Sequence, residues 1–127
     1  MFRVRAQAVF SAAHALVIRG EREALHGHDW RVTATVEGPG LDGDGLLIDF
    51  HALERELGAV VAPFRNANLN HTAPFDRVNP SAENVARHIG EALAARLARV
   101  TSAGGARLAS VTVTEAPGCE AAYEPAR

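Results

Sequence analysis

Two of the six histidines flank one glycine in "LHGHDWRV", as His26-Gly27-His28, and a third, His14, stands in "FSAAHAL". On an extended chain, residues two apart point to the same face, so His26 and His28 share a side. They share it with Trp30 and Val32, which makes that side the apolar one. Imidazoles buried there without partners cost free energy, so a pair of them needs a reason. His14 is expected just beyond the end of a first strand that could neighbour the strand beginning at His28. Three neutral imidazoles meeting at a sheet edge make a tetrahedral zinc site with its fourth position open, which activates water or polarises a carbonyl. The spacing alone fits loop histidines that bind nothing more readily. The residues around them decide.

Those residues read as a small set of elements. "FRVRAQAVF" alternates Phe2, Val4, Ala6, Ala8 and Phe10 against Arg3, Arg5 and Gln7, the pattern of a half-buried strand. "HDWRVTATVEG" alternates likewise, with Trp30, Val32, Ala34 and Val36 on one face. "GPGLDGDG" is a turn cluster, and "LLID" is expected to leave it as a short strand. Asp49 is a candidate cap for a helix through "FHALERELGAVVAPF", with Phe50, Leu53, Leu57 and Val61 as its stripe. A second helix is expected from Asn79 as cap and Pro80 as first residue, with Val85, Ile89, Leu93 and Leu97 buried. "RLASVTVTE" is the last strand, and the tail from Pro117 is expected to be irregular. The order β-β-α-α-β predicts an α+β fold, an antiparallel sheet with helices on one face.

Composition narrows the function classes. The 127 residues predict one domain, 1–127, and 47% hydrophobic against 22% charged residues is a globular balance. Thirteen basic and fifteen acidic residues give a formal charge of -2, no footprint for nucleic acid or an anionic membrane. Cys119 is the one cysteine, so no internal disulfide is expected and a reducing compartment fits. No apolar run nears the ~18 residues of a membrane span, and "MFRVRAQAVF" lacks the apolar core of a signal peptide. A cytoplasmic location is the expectation.

In order along the chain, "FSAAHAL", "LHGHDWRV", "GLLIDFHAL", "NPSAENVARHI" and "VTVTEAPGCEAAY" resemble five motifs of the 6-pyruvoyltetrahydropterin synthase family. That family includes the bacterial 6-carboxytetrahydropterin synthases of queuosine biosynthesis. The resemblance covers nearly the whole chain. It implies the tunnelling fold: a four-stranded antiparallel sheet with two helices on one face, joined edge to edge into a barrel-like homotrimer, with two trimers stacking as a homohexamer. It also implies Zn2+ at His14, His26 and His28, and a pterin-like substrate held by Glu115, with active sites at subunit interfaces. A carboxylate suits that anchoring role, because it accepts two parallel N–H bonds from the 2-amino-N3 edge of a pterin. Thr114 and Ser81 could add hydroxyl contacts, although structural roles also suit them.

The chain departs from the family where protons move. Family members carry a cysteine general base four residues before the first histidine of H-G-H, and Arg22 stands there. Arginine stays protonated and takes no proton. Some relatives use a glutamate instead, and Glu21 and Glu23 flank the position. The family's Asp–His pair aligns without gaps with Arg65 and Asn66; a slipped alignment substitutes Asn70 and His71. His51 and His88 fall on expected helices as surface or packing residues. The reading is a zinc-dependent lyase acting on a dihydroneopterin-like substrate, with Glu23, Glu21 or His71 as its base. The alternatives are the same zinc scaffold turned to a different small-molecule reaction, or a catalytically silent pterin-binding protein.

Overall fold

The computed structural model describes residues 1–100 and 105–126. Two long strands dominate it. β1 (Phe2–His14) and β4 (His26–Gly38) pair antiparallel over their whole length, from Phe2 opposite Gly38 to His14 opposite His26. Between them, β2 (Val17–Ile18) and β3 (Glu21–Arg22) form a small separate hairpin. Helix α1 (Phe50–Val61) follows, then a 3-10 turn at Ala62–Phe64. A two-residue β5 (Ala67–Asn68) and a 3-10 turn at Leu69–His71 lead on to α2 (Ala82–Leu97). β6 (Arg107–Ala116) and β7 (Cys119–Tyr123) close the chain. The sheet runs β5-β1-β4-β6-β7, antiparallel except for the β5–β1 contact.

Alternation in the long strands sorts the residues by face. Trp30, Val32, Ala34 and Val36 are fully buried, and Phe10, Ala12 and His14 join them from β1. Leu53, Leu57 and Val61 of α1 and Val85, Ile89, Leu93 and Leu97 of α2 cover that face. Each such side chain contributes about 1.5–3 kcal/mol on burial, far more than local helix propensity, so packing fixes where the helices lie. The opposite face carries no helix, and apart from Val9 and Ala13 its β1 side chains, Arg3, Arg5, Gln7 and Ser11, are polar. Among the described residues, no helix is long and apolar enough to cross a membrane.

Several sequence expectations need correction. "LLID" is not a strand: Leu47 and Ile48 are buried as anchors of a loop whose ends meet through Asp42 N–H and Leu46 O. The fourth long-sheet strand is instead β7, in the tail that was expected to be irregular; Pro117 and Gly118 make its turn, with Gly118 at φ 80°. Asp49 does cap α1, accepting from His51 N–H, but Phe50 is 52% exposed and takes no part in the buried stripe. Helix α2 is capped by Ser81 and starts at Ala82. Asn79 and Pro80 precede it, because the Asn79 amide is committed to Val17: its Oδ1 accepts from Val17 N–H and its Nδ2 donates to Val17 O. His14 is not beyond β1 but is its last residue.

Candidate metal and substrate site

The β1–β4 register brings the three histidines together. His14 lies opposite His26, and His28 lies two residues further along the same face. Ring centroids are 4.7 Å apart for His14–His26, 5.1 Å for His14–His28 and 4.7 Å for His26–His28. Trp30 continues the row, its ring edge-on to His14 at 4.8 Å, and its indole N–H donates to Ala12 O. The site is thus the end of the apolar stripe, where packing gives way to imidazole.

Two rings are oriented by their second nitrogen. His14 Nδ1 is 2.8 Å from the Pro80 carbonyl oxygen, and His26 Nδ1 is 2.9 Å from that of Ala24. A carbonyl only accepts, so Nδ1 carries the proton and Nε2 keeps a lone pair, as in metal-binding imidazoles oriented by a neighbour. The segment before α2 therefore fixes the tautomer of a strand residue. Asn70 and Asn79 tether the loop after His14 to that segment. Asn70 accepts from Ala15 N–H and donates to Ala15 O, imitating a strand neighbour.

Glu115 completes the cluster. It sits where the β6–β7 register shifts between Thr114 and Ala116, the kind of bulge that re-aims a side chain. Its Oε1 lies 3.0 Å from both His14 Nε2 and His28 Nε2. Those short distances are not hydrogen bonds in direction, and both buried Nε2 atoms lack a hydrogen-bond partner. Unsatisfied buried ring nitrogens beside a carboxylate are a donor set that a bound cation would complete. The four donor atoms lie within 4.8 Å of one another. Bonds of about 2.0–2.1 Å to a tetrahedral zinc would space donors by roughly 3.4 Å, so a small contraction fits the ion. Burial lowers the pKa of His28; Glu115 opposes the shift, and His14 and His26 add to it. The result favours the neutral ring that a metal requires.

The other candidates scatter. Glu23 Oε1 is 3.7 Å from His26 Nε2 and accepts from Leu16 N–H at 3.0 Å. Glu23 N–H also donates to Leu16 O, so the hairpin base holds this carboxylate beside the histidines. Glu21, in β3 opposite Ile18, is exposed, with no such contact among the described residues. His71 is exposed at the end of its 3-10 turn, with no contact to the cluster among the described residues. Arg65 donates to Val9 O and Asn66 takes φ 56° beside Ser11, so both serve the chain path at the edge of β1. Ser81 Oγ accepts from Asn84 N–H as a helix cap. Thr114 lines a cavity of about 640 Å³ with His28, Asp29, Arg31 and Glu115. His88 packs between Phe64 and Phe75, at 5.6 Å from each, and His51 is exposed on α1. The contact of Glu115 with the histidines was not anticipated, yet parity held the signal. Residues 111 and 113 of β6 are buried on the histidine face, and 115 is next in that alternation.

Comparison with known proteins agrees with this layout. The family description "6-pyruvoyl tetrahydropterin synthase" matches residues 3–126. A protein of Archaeoglobus fulgidus, provisionally named 6-carboxy-5,6,7,8-tetrahydropterin synthase, is 32% identical over 85 residues, 67% of this chain and 70% of that protein. The structure of Caenorhabditis elegans 6-pyruvoyl tetrahydropterin synthase superposes with a TM-score of 0.82 at 24% identity, covering 98% of this chain and 96% of that one. That of Plasmodium vivax gives 0.76 at 20% identity, covering 98% and 99%. A variant of the Plasmodium vivax protein, with alanine for a glutamate described as catalytic, gives 0.71 at 18% identity over 98% and 97%. The match over nearly every residue, together with the shared sheet-and-helix layout, places this chain in the 6-pyruvoyl tetrahydropterin synthase family.

Proposed function

We propose that this tetrahydropterin synthase family member is a zinc-dependent lyase acting on a dihydroneopterin-like substrate, with Glu23 as its proton acceptor. The observation that carries the reading is the cluster of His14, His26, His28 and Glu115 within 4.8 Å, with two buried Nε2 atoms unsatisfied. Zinc held there would act as a Lewis acid on side-chain oxygens of the substrate and so acidify adjacent C–H bonds. His14 and His26 hold their rings through Pro80 O and Ala24 O, which keeps Nε2 available. Glu115 has two tasks open to it. It fills the corner beside His14 and His28 when substrate is absent, and it turns to the 2-amino-N3 edge of the pterin when substrate enters the cavity lined by Thr114 and His28.

Glu23 is favoured over Glu21 and His71 because only it lies beside the histidines, 3.7 Å from His26 Nε2. The glutamate described as catalytic in the Plasmodium vivax protein shows that a carboxylate can serve in this scaffold. Arg22, at the family's cysteine position, is in β3 and lines a different small cavity with Asn70 and Arg77. Among the described residues, the outer edge of β1 is covered only from Val9 to Ala13, by residues 65–68, and β7 has no outer neighbour. Two open edges on one sheet invite pairing between copies, which supports a trimer or a stacked hexamer. The free thiol of Cys119 fits a reducing compartment, in keeping with the cytoplasmic location proposed for this chain.

The test is incubation of zinc-loaded protein with dihydroneopterin triphosphate and with dihydroneopterin, followed by product analysis. A 6-substituted tetrahydropterin, or 6-hydroxymethyl-dihydropterin by carbon–carbon cleavage, is the expected product. Glu23→Gln should lower kcat by about 10²–10⁴, while Glu21→Gln stays near wild type. Tight pterin binding without turnover would reduce the protein to a binder. Neither binding nor turnover would turn the scaffold to another reaction.

A further inference from the structure

The helix-free face carries a second set of side chains, at the end of the sheet remote from the histidines. Register places Arg3, Glu37 and Arg107 in one row across β1, β4 and β6, and Arg5, Thr35 and Ser110 in the next. These six residues line a polar cavity of about 240 Å³. Glu37 is only 7% exposed; its Oε2 accepts from Arg3 Nε, and its Oε1 accepts from Arg107 Nη2. One buried carboxylate thus holds two guanidinium groups, Arg3 through Nε and Arg107 through Nη2. Arg5 makes no ion pair or hydrogen bond through its side chain with the described residues. Glu124 also lines the cavity, so among the described lining residues three arginines face two carboxylates. Glu37 lies nine residue steps along extended β4 from His28, roughly 30 Å, so the two sites are independent.

We propose that this cavity binds a phosphate oxyanion, with Arg5 as the principal ligand, Arg3 and Arg107 pre-positioned by Glu37, and Thr35 and Ser110 supplying hydroxyl donors. Donors arrive from three neighbouring strands, an arrangement that suits a tetrahedral anion. A planar carboxylate would need only one guanidinium fork. Charge-assisted bonds to a pre-organised set of this kind are the stronger class of hydrogen bond.

Equilibrium dialysis of the metal-free protein against inorganic phosphate, with succinate in a parallel arm, tests this. One saturable phosphate site per chain is expected, weakening as salt rises, with succinate held at least about tenfold more weakly. Arg5→Gln, at an exposed position, should fold normally by circular dichroism and lose about tenfold or more in phosphate affinity. Ser110→Ala should lose less, and Arg22→Gln, in the separate cavity lined by Asn70 and Arg77, should bind as wild type does. The proposal is overturned if phosphate uptake never saturates, if Arg5→Gln binds unchanged, if Arg22→Gln abolishes binding, or if succinate binds more tightly. Because the protein is free of metal, these results do not depend on whether zinc occupies the other site.

Discussion

His28 and Glu115 share a contact of 3.0 Å, yet they should fail in different ways when replaced. Removing an imidazole takes away a ligand. Even the residues that merely orient ligands cost 10- to 100-fold in metal affinity, so His28→Ala should lose more than about a hundredfold. Metal content after dialysis, by elemental analysis, measures this. Glu115→Gln keeps all three rings and should keep its metal, but an amide replaces the charged acceptor. Pterin affinity, followed by fluorescence quenching, should then fall by about tenfold or more, the worth of one charge-assisted bond. If Glu115→Gln loses metal as fully as His28→Ala, the carboxylate is a permanent ligand and the two-task reading fails.

At the scale of elements, two glycines on the two helices face opposite situations. A Cβ on Gly90 in α2 would sit 2.6 Å from the ring of Tyr123 in β7, so the absence of a side chain lets the helix approach the last strand. Gly90→Ala should destabilise by about 1–3 kcal/mol from overpacking, against a helix-propensity gain of up to about 1 kcal/mol. A Cβ on Gly58 in α1 meets nothing within 4 Å. Gly58→Ala should therefore stabilise by about 0.5–1 kcal/mol. Thermal unfolding of the two variants should move in opposite directions. The contrast also explains the tail: β7 exists because Tyr123 has a glycine to pack on and β6 to pair with, and neither can be seen in the tail residues alone.

For the whole molecule, pH and assembly are the readouts. His88 lies between Phe64 and Phe75, where burial lowers its pKa and Glu91 opposes the shift. Its neutral ring contributes fully above the unfolded value of about 6.5. As pH falls below that, the unfolded chain takes a proton before the folded one, so stability declines until the lowered folded pKa is passed. Urea midpoints at pH 7.5 and 5.5 should therefore drop less for His88→Gln than for wild type. Equilibrium sedimentation should give three or six times the 13.5 kDa chain mass. A monomer at micromolar concentration would contradict pairing through the open edges of β1 and β7.

The sequence by itself determined the long strands, the buried stripes of both helices apart from Phe50, and the family, because alternation at two and at 3.6 residues and five ordered motifs are local properties. Trp30, Val32, Leu53 and Ile89 are all fully buried as their spacing required. What only the tertiary structure decided depends on partners distant in the chain. Asn79 could cap a helix on local grounds, but Val17, 62 residues away, claims its amide and Ser81 caps instead. Leu47 and Ile48 had the composition of a strand, yet among the described residues no strand pairs with them, so they became loop anchors. The site divides along the same line. The histidines shared a face by parity, whereas the Pro80 carbonyl on His14, the Glu115 carboxylate between two rings and the nearness of Glu23 came from register, a bulge and a hairpin.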